Sequence, residues 1–201
     1  MEQTELVRMM AQTAAAIAAE ERSVVAQVLR RKDEEVEPVQ VSANALKVAA
    51  ETLPHVPTMW VAAISRYAWQ QRQELRAEAA MWLTGPMPAH HLNAPLFEET
   101  ARTAYALAQL TACAQGIEVW REATAQADTP LANILPPDLV PAADIEEAAG
   151  SRYLLLCSET AQRWVNDQGS ARRLLEMTAR YGIAAPCLAA ALAEYDALRR
   201  A

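Results

Sequence analysis

The stretch LLEMTARYGIAAPCLAAALAEY, residues 174–195, decides the fold class. Apolar residues recur at helical spacing on both sides of Gly182 and Pro186. Glycine accepts the left-handed conformation that often follows the last turn of a helix, and proline is favoured in a first helical turn. Ser170 is a suitable N-cap for the first of the two helices. The stretch therefore predicts a helical hairpin, with one helix from Ser170 to Tyr181 and another from Pro186 to the C-terminus.

The second helix of this hairpin lacks the chemistry of a DNA-recognition helix. A recognition helix presents Arg, Lys, Asn or Gln side chains to base edges. This helix instead presents Cys187, Leu188 and several alanines, followed by Glu194 and Asp196. The net charge is −7, from 18 basic and 25 acidic residues, so a phosphate backbone finds no continuous basic surface. We therefore expect no nucleic-acid partner.

The composition extends the helical prediction to the whole chain. Alanine, a strong helix former, is abundant, whereas the chain contains 5 Gly and 1 Phe. A chain of 201 residues can form one self-sufficient core. The sequence predicts an all-α fold of about seven helices in an irregular orthogonal and antiparallel bundle.

Apolar periodicity, caps and prolines place these helices along the chain. Their expected ranges are 4–31, 42–53, 57–82, 93–126, 142–165, 170–181 and 186–201. Two Pro-rich connectors lie within the stretches 83–99 and 128–150. On the third helix, Trp60 and Trp82 are predicted to share an apolar stripe, and Trp69 to lie on a more polar sector.

The first helix is predicted to form an arm, residues 1–35, that is distinct from a bundle domain of residues 36–201. Its apolar face is mostly alanine with a thin stripe of larger residues, and Glu20 and Glu21 interrupt it. Burial of small side chains, at roughly 25 cal/mol per Å², gains little free energy against the entropy of ordering. We therefore expect a partner helix or a second copy to cover this face. A truncation of residues 1–35 is expected to leave a folded bundle.

The cysteine content and the N-terminus favour a cytoplasmic protein. Three cysteines, an odd number, do not suit a disulfide framework. The first five residues include two glutamates and no basic residue, where a signal peptide is basic, and no apolar run reaches the length of a membrane span. The only lysines are Lys32 and Lys47, and this preference for arginine is typical of a GC-rich bacterial genome.

The candidate reactive residues lack the spacing that catalysis or metal binding requires. His90 and His91 are adjacent, so their side chains point in different directions and one metal ion rarely binds both. Cys187 follows Pro186 in a first helical turn, which stabilises a thiolate, but no His or Lys lies near it in sequence. Phosphate-loop, dinucleotide-binding and zinc-protease motifs are absent from the sequence. We therefore predict no metal and no cofactor, and the sequence does not favour an enzyme.

Three acidic residues follow Pro141 at the end of the second connector. Asp144, Glu146 and Glu147 could act as paired carboxylates in acid–base chemistry. Because they lie at the start of a predicted helix, we interpret them as complementing the dipole of that helix.

These observations lead to two hypotheses for the function. The first is a non-enzymatic helical adaptor, chaperone or assembly component that acts through contacts with another protein or through self-association. Its candidate interface residues are Met10, Ile17, Val24, Val28 and Trp69. The alternative is an enzyme or a ligand-binding bundle with an Arg- and Trp-lined pocket between helices. The candidate lining residues of that pocket are His55, Arg66 and Arg72.

Overall fold

The computed structural model describes residues 21, 57–86, 94–123, 131, 135 and 139–200. These residues contain six α-helices: α1 (Thr58–Gln70), α2 (Gln73–Trp82), α3 (Ala94–Ala123), α4 (Ala142–Ala149), α5 (Ser158–Arg180) and α6 (Pro186–Leu198). A short 3-10 helix, Leu154–Leu156, precedes α5. No β-strand occurs in the described residues, and the predicted all-α class is confirmed.

The 30-residue helix α3 forms the centre of the bundle. Its most extensive contacts are with α5, followed by α6, and α1 packs mainly on α6. Alanines among its buried residues leave room for neighbouring helices to approach closely. The buried side chains of α3 include Ala101, Ala104, Tyr105, Leu107, Ala108, Leu110, Ala112, Ala114 and Ile117.

The turn between α5 and α6 has the predicted conformation. Gly182 has a φ of 67°, in the left-handed region. The N–H of Ile183 donates to the carbonyl of Thr178 at 2.8 Å, as in a Schellman C-cap. Pro186 occupies the first turn of α6. The helical hairpin is therefore confirmed.

The helix break predicted at residues 166–169 is wrong, because α5 continues through Gly169. A single glycine costs about 1 kcal/mol relative to alanine inside a helix. The buried side chains on both sides of it stabilise the helix by more than that. The actual break falls at residues 150–157, where Ser151 has a positive φ of 72°.

The helix predicted to begin at Pro57 is in fact two helices, α1 and α2, which are separated at Gln71 and Arg72. Because the second helix starts anew, Trp60 and Trp82 do not share an apolar stripe. Trp60 is fully buried, whereas Trp82 is 78% exposed. Helix α2 contains no buried residue, and its main contacts are with α1. The predicted position of Trp82 is therefore wrong.

Most of the N-terminal quarter of the chain lies outside the described residues. The predicted helices 4–31 and 42–53 fall there. Glu21 is the exception, because it is described as helical and fully buried. The division into residues 1–35 and 36–201 stays a prediction.

Candidate functional site

Trp69, a predicted interface residue, lies at the edge of an apolar groove. Its side chain is 41% exposed. The groove has a volume of about 260 Å³ and lies where α1, the end of α5 and the start of α6 meet. Leu175, Ile183, Ala185 and Pro186 line it beside Trp69. Such a groove can accept an apolar side chain of a partner or an apolar ligand.

The structure does not bring the predicted pocket residues to this groove. Arg66 lies on α1 and is buried, and its Nε has no hydrogen-bond partner in the described part of the chain. Arg72 is exposed at the N-cap of α2. Neither arginine lines the groove beside Trp69. His55 lies outside the described residues, so the ligand pocket of His55, Arg66 and Arg72 stays a prediction.

Helix α2 and the residue that follows it expose large apolar side chains. Leu75 is 55% exposed, Met81 74%, Trp82 78% and Leu83 75%. Leu75, Ala79 and Trp82 are spaced by four and three residues and therefore share one side of the helix, here called the α2 face. An isolated helix of this length is marginally stable in water. Packing against another surface would stabilise α2, and the described part of its own chain provides little of that packing.

The buried carboxylate of Glu21 lies against the first turn of α6. Its Oε2 accepts a hydrogen bond from the backbone N–H of Cys187 at 3.0 Å, and its Oε1 accepts one from the N–H of Leu188 at 3.2 Å. The hydroxyl of Tyr105 on α3 also donates to Oε1, at 2.9 Å. The carboxylate satisfies N–H groups that have no acceptor within α6, and its charge complements the helix dipole. The Glu21 side chain therefore bridges α3 and α6.

The electrostatics of this cluster favour a protonated phenol. Burial raises the pKa of Glu21, and the hydrogen bonds that it accepts lower the pKa by less. Burial and the charge of Glu21 raise the pKa of Tyr105. Cys187 is fully buried, and its side chain also hydrogen bonds to Glu21. Cys187 therefore lies in a buried, hydrogen-bonded site, and the described part of the chain offers no His or Lys side chain to pair with a thiolate there.

The two other thiols are also buried in the bundle. Burial raises the pKa of Cys113 to about 12. Burial and the negative charges of Asp144 and Glu147 raise the pKa of Cys157 to about 11. Both thiols are therefore protonated at neutral pH.

The described ranges hold no group of three or more His, Cys, Asp and Glu side chains that could bind a metal ion. His90 and His91 lie outside those ranges. No described helix combines the length and the apolar character that crossing a bilayer requires.

Asp144 and Glu147 cap the helix that follows their own. The buried carboxylate of Asp144 accepts hydrogen bonds from the backbone N–H groups of Glu159 at 3.0 Å and Thr160 at 2.6 Å. Glu147 accepts a longer one from the N–H of Ser158, at 3.3 Å. These carboxylates therefore stabilise the start of α5, whereas the sequence assigns them only to the dipole of α4.

Trp69, which the sequence places on a polar sector of its helix, is exposed, whereas the sequence does not predict the α2 face or the contacts of Glu21. The polar run at residues 70–73 is the available signal that one helix ends there and another begins. Glu21 has no such signal, because the groups that it binds are far away in sequence. The other candidate interface residues lie outside the described ranges, namely Met10, Ile17, Val24 and Val28.

Comparison with known proteins places the fold but not the function. No family model matches the chain, and no curated protein matches it. Among solved structures, the chain is similar to Plasmodium falciparum 6-phosphogluconate dehydrogenase, with a TM-score of 0.71 and 14% identity. That enzyme is described in its apo form and in complexes with its cofactor NADP+ and its substrate 6-phosphogluconate. The match covers 97% of this chain and 54% of the dehydrogenase chain. At this identity the likeness shows a shared fold alone.

Proposed function

We propose that this protein is a helical adaptor or assembly component that binds another protein molecule through the α2 face. The exposure of Leu75 and Trp82 on a helix without any buried residue carries this proposal. Exposed apolar patches mark interaction surfaces, and tryptophan is enriched among the residues that dominate binding energy. The groove beside Trp69 offers a second point of contact.

The proposal includes the N-terminal helix and a cytoplasmic location. Met10, Ile17, Val24 and Val28 are the residues through which that helix would contribute to the interface. All three cysteines lie in the described ranges and none forms a disulfide, which supports a reducing compartment.

Affinity capture with the tagged full chain tests this proposal. In an extract of the producing organism, we expect the wild type to retain a partner that the double variant Leu75→Gln/Trp82→Gln loses. Val165 is 58% exposed on α5, so Val165→Gln is a matched control and should retain the partner. The proposal is wrong if the double variant captures the same proteins as the wild type, or if the wild type binds neither another protein nor a second copy of itself.

A ligand-binding or enzymatic bundle is a second candidate. The fold likeness to a dehydrogenase and the apolar groove beside Trp69 support it. Thermal unfolding with NADP+, 6-phosphogluconate and a metabolite panel tests it. A rise of several degrees in the wild type and in Trp82→Gln, lost in Trp69→Ala, would support a ligand in the groove. No shift with any compound would reject this candidate.

A further inference from the structure

Opposite charges border the α2 face on its two sides. Arg72 and Arg76 lie four residues apart, and so do Glu74 and Glu78. Since a helix advances by about 100° per residue, the two arginines fall on one side of the α2 face and the two glutamates on the other. All four residues are exposed, and none of them takes part in an ion pair within the described ranges.

This pattern is self-complementary only when two copies of α2 lie parallel. In a parallel pair of identical helices, the right edge of each helix meets the left edge of the other, as the e and g positions do in a coiled coil. Arg72 and Arg76 of each copy then face Glu74 and Glu78 of the other copy. An antiparallel pair would instead place arginines against arginines and glutamates against glutamates. Edge charges of this kind select both partner and orientation.

We infer that the occupant of the α2 face is a second copy of this chain, packed parallel about a twofold axis. Leu75, Ala79 and Trp82 then meet the same residues of the second copy, with a row of Arg–Glu pairs on each side. This inference rests on the proposed function and names the partner of the same site. Helix α2 is about 15 Å long, so the interface is at the small end of specific contacts, below about 1,200 Å². We expect association in the micromolar range.

Sedimentation velocity of the full chain over a concentration series tests the association itself. We expect the wild type and Val165→Gln to pass from monomer to dimer, and Trp82→Gln to dimerise with a Kd about tenfold weaker or more. Because α2 contains no buried residue, the thermal unfolding of Trp82→Gln by circular dichroism should match that of the wild type. A wild type that stays monomeric at every concentration overturns the inference. Undiminished dimerisation of Trp82→Gln also overturns it.

Charge reversal tests the role of the edges. The variants Arg72→Glu/Arg76→Glu and Glu74→Arg/Glu78→Arg each carry one sign of charge on both edges, so each alone should dimerise less than the wild type. Mixed in equal amounts, they should form a heterodimer, and added salt should weaken it. Self-association of either variant at the strength of the wild type would count against the inference.

Crosslinking tests the parallel orientation. Leu83 follows the last residue of α2 and is exposed, whereas the three native cysteines are buried. In a parallel dimer, the two copies of Leu83→Cys lie at the same end, and a short bismaleimide should join them. Val165→Cys serves as the control and should not crosslink. A dimeric sample of Leu83→Cys that does not crosslink overturns the parallel arrangement.

The proposed function and the inference of a second copy can fail separately. A monomeric wild type whose α2 face still captures a different protein rejects the second copy but leaves the proposed function intact. A monomeric wild type that also captures nothing rejects both.

Discussion

Glu21 and Tyr105 are 84 residues apart in sequence and are joined by a buried hydrogen bond of 2.9 Å. The same carboxylate accepts the N–H groups of Cys187 and Leu188 at the start of α6. One side chain therefore bonds to two helices at once. A buried group that loses its hydrogen-bond partner costs about 1–3 kcal/mol, so changes at this cluster should be measurable in stability.

Replacement of Glu21 by glutamine should alter the pH dependence of folding. Burial raises the pKa of Glu21 above its ordinary value of 4.5, so the folded state binds the proton more tightly than the unfolded state does. The contribution of Glu21 to the free energy of unfolding is then largest below pH 4.5 and decreases as the pH rises through the pKa of the folded state. Glutamine does not titrate, so the Glu21→Gln variant lacks this pH-dependent contribution.

The quantity to measure is the free energy of unfolding of the wild type minus that of Glu21→Gln, by urea denaturation at a series of pH values. We expect this difference to fall as the pH rises above 4.5. Glu99→Gln, at an exposed position of α3, controls for the loss of a surface carboxylate. A difference that stays constant with pH would show that the pKa of Glu21 is the same in both states.

Replacement of Tyr105 by phenylalanine removes the donor to Glu21 and keeps the ring. We expect the free energy of unfolding to fall by about 1–2 kcal/mol, because Oε1 of Glu21 loses a partner in a buried site. In a Glu21→Leu background the same change should cost less, and the double-mutant cycle measures the coupling. Tyr181→Phe, at the half-buried end of α5, is the control. Equal losses from Tyr105→Phe in both backgrounds would mean that the bond contributes nothing.

The parts of the fold that the sequence predicts correctly depend on local signals. The turn at Gly182 and the helix start at Pro186 are set by backbone preferences of those two residues, so the hairpin can be read from one stretch. Gly169 is a weaker signal of the same kind. There the packing of α5 on α3 outweighs the preference of one glycine.

The candidate site is less predictable because its determinants are not local. Trp82 follows the helical spacing of Trp60, and only the break at Gln71 and Arg72 turns its side chain towards solvent. In the sequence, Glu21 is recognisable only as an interruption of an apolar stripe. Its role emerges from donor groups 166 residues away, which no pattern within the first helix reveals.

Asp144 should contribute more to stability than Glu146, an exposed acidic residue of the same helix. Its carboxylate caps α5 through Glu159 and Thr160 and is fully buried. We expect Asp144→Ala to lower the free energy of unfolding by about 2 kcal/mol, as charged caps do, and Asp144→Asn by less. Glu146→Ala on the same helix is the exposed control and should change it by about 0.5 kcal/mol or less. Equal effects of the two alanine variants in urea denaturation would rule out the capping role.

Gly169, inside α5, and Gly182, just after the C-cap of α5, should respond to alanine in opposite directions. Gly182 has a φ of 67°, and a β-carbon there would lie 3.0 Å from Cδ of Pro86. We therefore expect Gly182→Ala to lower the free energy of unfolding by about 1–2 kcal/mol, because alanine is strained in the left-handed region and Pro86 must move. Gly169 lies inside α5, where a β-carbon would meet no atom of another side chain or segment within 4 Å.

Gly169→Ala should therefore raise the free energy of unfolding by about 0.5–1 kcal/mol, since alanine has the higher helix propensity and nothing obstructs its methyl group. Chemical denaturation of both variants against the wild type measures the two changes under identical conditions. The pair separates backbone conformation from residue identity, because the substitution is the same at both positions. Equal destabilisation of both variants would contradict a continuous α5 through Gly169. It would instead favour the helix break that the sequence predicts at residues 166–169.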